Sequence, residues 1–140
     1  MLRRSLIWVV AQRWMSSEPT RVEKSVNKVV LIGRIGREPE MRGSQENPCT
    51  AFPLATSENF KDKTGEYQQK TQWHRIVIFR PWLKDTVYTY AKKGSRIYLE
   101  GKIEYGQYTD DDGNTNFTTS VVADDVIFLD HRSGWTYWLE

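Results

Sequence analysis

The sequence predicts an all-β fold, a five-stranded barrel with one helix between the third and fourth strands and a short tail at each end. Three observations predict it. β-Branched and aromatic residues gather in runs whose apolar positions alternate, as half-buried strands require. A single stretch, opened by Pro81 and closed by Lys92, Lys93 and Gly94, has helical spacing instead. The chain has 140 residues, 39% hydrophobic and 13% aromatic, enough for one core and too few for two.

The first strand is expected over Val26 to Arg34, where Gly33 and Gly36 predict a bulge or bend that lets a short strand curve. Pro39, Gly43 and Pro48 punctuate the loop that follows. A second strand runs over Thr50 to Glu58 with Phe52 and Leu54 on one face. Pro53 cannot donate to a ladder, so a bulge or an outward-facing gap is expected beside it. Residues 59 to 70 are polar around Gly65 and read as a hairpin loop. The third strand, Thr71 to Arg80, divides by period two: His74, Ile76 and Ile78 point one way, and Trp73, Arg75, Val77 and Phe79 the other. Pro81 suits the first helical position, Leu83, Val87, Tyr90 and Ala91 follow at helical spacing, and Lys92, Lys93 and Gly94 suit the end. The fourth strand, Arg96 to Tyr108, has Ile97, Leu99, Gly101, Ile103 and Tyr105 on one face, with Tyr98, Glu100, Lys102, Glu104 and Tyr108 on the other. Asp112 and Gly113 supply a tight turn into the fifth strand, Phe117 to Leu129. Three strands, a helix and two strands is the order of the OB barrel, whose second and third strands and connecting loops present a nucleic-acid groove.

The net charge of +2 hides a strong asymmetry: residues 1–17 carry +3, 18–60 carry 0, 61–102 carry +6 and 103–140 carry −7. Anion binding therefore has to come from a local patch, and 61–102 is that patch. Residues 1 to 17 hold Arg3, Arg4 and Arg13, three serines and no acid, and read as a mitochondrial transit peptide. Residues 18–26 are a flexible lead-in, 27–129 the barrel, and 130–140 a short C-terminal tail. A membrane span of roughly 20 apolar residues is not there to be found. The single cysteine, Cys49, forms no internal disulfide, and with His74 and His131 as the only histidines it predicts no structural zinc site, in keeping with a reducing compartment.

The candidate chemistry is sparse. The run Asp110 to Asn114 starts like a calcium loop, but Thr115 stands at the sixth position and Val121 at the twelfth, where glycine and glutamate are needed. Asp124 and Asp125 leave opposite faces of a strand and cannot share a proton. His74 has no nucleophile beside it, and no cofactor is implied. The triplet Asn116-Phe117-Thr118 matters only in a secreted chain. What remains is aromatic and basic: Phe60, Lys61 and Lys63 in the loop, Trp73, Arg75 and Phe79 on one strand face, Lys92 and Lys93 after the helix, Lys102 and Tyr108 on another face. Rings spaced along a positive track are what a non-specific single-strand binder needs, because every base has a π-face and every nucleotide a phosphate. The competing reading makes Trp73 and Phe79 core residues and the cations ordinary surface.

The stretches VNKVVLIGRIGREPEMR, LATSENF, QWHRIVIF, YAKKGSRIYLEGKIEYGQYTD and TTSVVADDVIFL resemble, in order and spacing, the bacterial and mitochondrial single-stranded DNA-binding protein family over roughly Ser25 to Leu129. With the N-terminal segment, the resemblance points to the mitochondrial branch. It implies an OB fold, a homotetramer, and base stacking on Phe60, Trp73, Phe79 and Tyr108, two of which, Phe60 and Tyr108, replace tryptophans typical of bacterial members. DNA-backbone contacts are expected from Lys28, Arg34, Arg42, Lys61, Lys63, Arg75, Lys92, Lys93 and Lys102, and subunit contacts from His74 and Tyr98. The expected function is sequence-independent binding of single-stranded DNA, without catalysis, in the mitochondrial nucleoid beside the polymerase and helicase of replication. Bacterial relatives end in an acidic tip that recruits partners, whereas this chain ends DHRSGWTYWLE, so tail-mediated recruitment is not expected. An RNA-binding or translation-associated OB module is the first rival reading. A nuclease or other metal enzyme is the second, and the lack of a metal-ligand cluster in the sequence counts against it.

Overall fold

The computed structural model describes residues 21–130, so the expected transit peptide and the aromatic C-terminal tail lie outside the described residues. Among the described residues, six strands and one helix follow in the order β1 (Val29–Ile35), β2 (Glu40–Gly43), β3 (Pro48–Lys61), β4 (Tyr67–Ile78), α1 (Pro81–Tyr90), β5 (Arg96–Thr109) and β6 (Thr115–Phe128). The sheet runs β1-β5-β6-β4-β3-β2. It closes where β1 returns to β3, with Arg34 opposite Ala55 and Ile35 opposite Leu54. The closed part is the expected five-stranded barrel.

β2 is an addition to the expected elements. It pairs Glu40 to Gly43 with Ala51 to Pro48 and so occupies the stretch read as a punctuated loop. Four exposed residues give no periodic signal, and pairing with β3 alone makes them a strand. Counting it, the helix stands between β4 and β5.

Apolar alternation puts the core where it is. Ile35, Phe52, Leu54, Ile76, Ile78, Ile97, Leu99, Val121 and Ala123 close the interior. α1 plugs one end with Leu83 and Val87, and Ala91, just past the helix, joins them in the core. The buried Thr50 hydroxyl ties the helix to the barrel by donating to the Lys84 carbonyl oxygen at 2.9 Å. The helix ends at Tyr90, which is exposed, and Ala91 is already extended. Lys92, Lys93 and Gly94 therefore do not finish the helix as expected. They form a separate turn closed by the Ser95 N–H donating to the Lys92 carbonyl, with Gly94 at φ +87°.

Of the bulge or bend expected at Gly33 and Gly36, β1 carries no bulge, while the chain bends at Arg37 just past Gly36. Gly33 sits in a regular ladder opposite Ile97, and the irregularity falls on β6, where Asp124 is left out of the register as the strand passes Glu100 and Gly101 of β5. What Gly33 provides is closeness: a β-carbon there would lie 2.3 Å from the Ala55 carbonyl oxygen, at the seam where the barrel closes. Pro53 stays in unbroken register with Arg75 on β4. Its other edge faces the stretch between the β1 and β2 pairings, where its carbonyl accepts from the Gly36 N–H at 2.9 Å, so the gap and not the bulge is realised.

The segment expected as a long loop is mostly strand. β3 and β4 stay paired out to Lys61 and Tyr67, leaving residues 62–66 as the turn. Both long hairpins turn alike. The Gly65 N–H donates to the Asp62 carbonyl and the Asp62 N–H to the Glu66 carbonyl, just as Gly113 donates to Asp110 and Asp110 to Asn114. Both glycines have positive φ. Each aspartate carboxylate then gathers donors: Asp62 from Thr64, Glu66 and Gln68, and Asp110 from Asp112, Asn114 and Asn116. The donors favour the charged form and hold both carboxyls below their ordinary range, led by the Thr64 side chain at Asp62 and the Asn114 backbone at Asp110. Within the acidic run at 110–112, Asp110 thus anchors the turn through its carboxylate and backbone.

Candidate nucleic-acid interface

Alternation on β4 divides two environments. Ile76 and Ile78 enter the core, while Trp73 stands 62% exposed on the outer face, which removes it from the core reading. Neighbouring strands continue that face. Ala55 is opposite Trp73, Pro53 opposite Arg75, Ala51 opposite Val77, and on the far side Val122 is opposite Val77 and Lys102 opposite Val122. Small or flat residues beside the rings leave two open grooves. One, of about 280 Å³, is lined by Trp73, Arg75, Arg37 and Arg42; the other, of about 350 Å³, holds Phe79, Arg42, Arg75, Ser120 and Thr118. Arg42, Ala51 and Arg75 line both, so the two form one track with Trp73 towards one end and Phe79 towards the other. Six residues of strand separate the rings, about 20 Å at roughly 3.3 Å per residue.

Charge follows the same path. Among the described residues the ion pairs are Lys28 with Glu100, Arg42 with Glu40 and Lys84 with Asp85. Arg75, Lys61, Lys63, Lys92, Lys93 and Lys102 are thus cations outside any ion pair of the described residues. Arg42 is held by Glu40 at 2.8 Å. Lys28 is directed to Glu100, on the β1–β5 side and away from the track. Arg34 donates to the Gly94 carbonyl oxygen at 2.9 Å, and with Arg96, opposite it in register, lines a third groove over the β1–β3 seam. Lys92 and Lys93 reach the end of β1 because Gly94 donates to the Ile35 carbonyl oxygen and the Lys93 N–H to the Glu38 carboxylate.

Cys49 lies buried beneath the second groove. Burial pushes its thiol upward against the lowering influence of Arg75 and Arg42, so it stays protonated and packs rather than reacts.

Not all four expected stacking rings share one face. Phe79 lines the track half-buried, and Tyr108 is exposed on the β5 arm opposite Asn116, on the Lys102 side of that strand. Counting pleats from the inward-facing Leu54 puts the exposed Phe60 on the inner side of the β3–β4 ribbon, across from Gln68. The outer side at that point belongs to Lys61 and its partner Tyr67, which is 79% exposed on the same face as Trp73. Tyr67, Arg37, Tyr105 and Phe117 are exposed candidates that sequence reasoning passes over. A strand begun at Tyr67 instead of Thr71 reveals the first of them. Tyr105 keeps its expected parity with Ile103, but the arm projects past the barrel there, so the core face becomes an exposed one.

His74 and Tyr98 occupy different surfaces. His74 Nε2 is 2.8 Å from the Thr56 hydroxyl, half-buried at the rim of the core. Tyr98 is half-buried on the outside of β5, its hydroxyl donating to Glu100, between Ile32 of β1 and Ile127 of β6. Ile32 is 49% and Ile127 50% exposed, so the three form an apolar row open to solvent in one chain. The hydrogen bond to Glu100 holds the Tyr98 hydroxyl's pKa above its ordinary value, and loss of solvent adds to the effect.

The family model of the single-strand binding protein family matches residues 26–129. The "Single-stranded DNA-binding protein, mitochondrial" of Drosophila melanogaster is 50% identical over 114 residues, covering 81% of this chain and 78% of the relative. The protein of the same name from Bos taurus is 44% identical over 140 residues, covering 92% and 95%. Among solved structures, a Plasmodium falciparum chain described as "SSB complex with ssDNA" superimposes with a TM-score of 0.71 at 34% identity, covering 79% of this chain and all of the other.

Proposed function

Since the chain belongs to the single-strand binding protein family, we propose that it binds single-stranded DNA in mitochondria without sequence preference and acts by coating rather than by catalysis. The observation that carries this reading is the continuous outer track from Trp73 through Arg75 to Phe79. It offers π-faces for bases and, in Arg75, a cation outside any ion pair of the described residues. Binding of that kind draws affinity from stacking and from release of counterions, neither of which distinguishes one base from another.

The cationic share is testable separately. Replacing Arg75 or Lys102 by glutamine should weaken binding to oligo-dT, oligo-dA and oligo-dC alike and reduce the salt slope by about 1 for each phosphate no longer neutralised. Titrations at several salt concentrations read the slope directly. An unchanged slope in both variants removes these residues from the backbone path.

Assembly is the second part of the proposal. Over most of its length β1 pairs only with β5, meeting β3 just at Arg34 and Ile35, and so presents a sheet edge beside the Ile32–Tyr98–Ile127 row. Free strand edges and exposed apolar patches are where copies of a chain join. A homotetramer built partly through this surface brings several tracks within reach of one DNA strand. The same reading places the protein in the matrix nucleoid, where it protects exposed template beside the replication polymerase and helicase. Residues 1 to about 17 direct it there and are then removed. Sequencing the N-terminus of protein recovered from mitochondria should find them absent, and recovery of Met1 contradicts the assignment.

A further inference from the structure

Gly36 lies just after β1, where its N–H donates to the Pro53 carbonyl at 2.9 Å. It has no positive φ, unlike Gly43, Gly65, Gly94 and Gly113, so its backbone conformation is open to other residues. Space is what it lacks. A β-carbon there would stand 2.3 Å from Cζ3 of Trp73 and 2.8 Å from Cη2, both on the six-membered ring of the indole. These distances are well inside van der Waals contact, and the ring atoms are the far end of a side chain that can swing outward.

We propose that Gly36 is a positioning residue for DNA binding: its bare backbone is the seat on which the Trp73 indole lies, and the seat fixes how far the ring rises into the path of the bases. The inference rests on Trp73 being a stacking ring. The indole reaches Gly36 across β3, where Ala55, its small cross-strand neighbour, leaves room for it to pass. Pro53 holds the seat by accepting from the Gly36 N–H, and the same proline lies beside Arg75 in register, so ring and cation are referenced to one residue. A methyl group at residue 36 lifts the ring from this seat without touching DNA itself.

The test is a double-mutant cycle on the full assembled protein, with oligo-dT as the probe and thermal melting as the control. Gly36→Ala should melt close to the parent yet bind at least about fivefold more weakly, while Trp73→Ala should weaken binding by roughly 5- to 150-fold, the range for losing one stacked base. Adding Gly36→Ala to Trp73→Ala should change affinity by less than about twofold, since the added methyl then meets no ring. Equal weakening by Gly36→Ala with and without Trp73 overturns the proposal and marks a backbone effect, as does parental affinity in Gly36→Ala alone. If Gly36→Ala melts early, Gly36→Ala with Trp73→Phe, whose smaller ring clears the methyl, should regain stability; failure to regain it also overturns the seat. Parental binding by Trp73→Ala is a different result, which removes the stacking reading itself.

Discussion

Ile32→Glu should break the assembly into smaller species and lower the affinity for long oligo-dT by about 100-fold or more, because linked sites gain roughly 10²–10⁴ over single ones. Ile32 faces outward in the Ile32–Tyr98–Ile127 row, so a carboxylate there is hydrated in the single chain and costs its fold little. In a subunit interface the same carboxylate is desolvated without a partner, a penalty of several kcal/mol. The site therefore separates assembly from folding. His74→Glu does so less cleanly, since His74 is half-buried and bonded to Thr56, and a carboxylate at the core rim acts on the barrel as well. Mass in solution at nanomolar concentration, with melting as control, gives the answer. An Ile32→Glu protein with parental mass and parental affinity removes this surface from the assembly.

Trp73→Ala should lower affinity for oligo-dT by about 1–3 kcal/mol with an unchanged salt slope. Truncating a buried tryptophan costs about 3–5 kcal/mol of stability, but Trp73 is mostly exposed, so its removal should leave the melting temperature nearly intact. Phe79 is half-buried, and Phe79→Ala is expected to divide its effect between stability and binding. The contrast between these two rings is a prediction of their burial. Unfolding by Trp73→Ala contradicts the outer placement, and parental binding contradicts the stacking role.

Strand alternation makes the inner wall readable in the sequence itself. Its period places Phe52 with Leu54, Ile76 with Ile78 and Ile97 with Leu99 on inward faces, and all six enter the core. Trp73 and Arg75 fall on the other face for the same reason. Where the pattern fails, tertiary context supplies what local signals lack. β2 is a strand only because β3 lies beside it. Residues 59–61 and 67–70 stay paired because the Asp62 and Gly65 turn holds them, although no core lies beneath. Lys92, Lys93 and Gly94 carry the chemistry of a helix end, but the helix stops when Ala91 enters the core, and those residues serve the next turn. The side of the ribbon on which Phe60 or Tyr67 stands follows from register, which a single sequence fixes poorly in polar strands. The closeness of Gly36 to Trp73, far apart along the chain, has no local signature at all.

The most direct test of single-strand binding by the Trp73–Phe79 track is a titration of the assembled protein with oligo-dT, oligo-dA, oligo-dC, oligo-U and a duplex of equal length, followed by tryptophan fluorescence at several salt concentrations. The three single-stranded DNAs should bind within about tenfold of one another, quench the fluorescence and lose affinity steeply with salt, while the duplex binds far more weakly. Preference for oligo-U over oligo-dT, or binding of duplex as tightly as of single strands, contradicts single-stranded DNA as the ligand of this track.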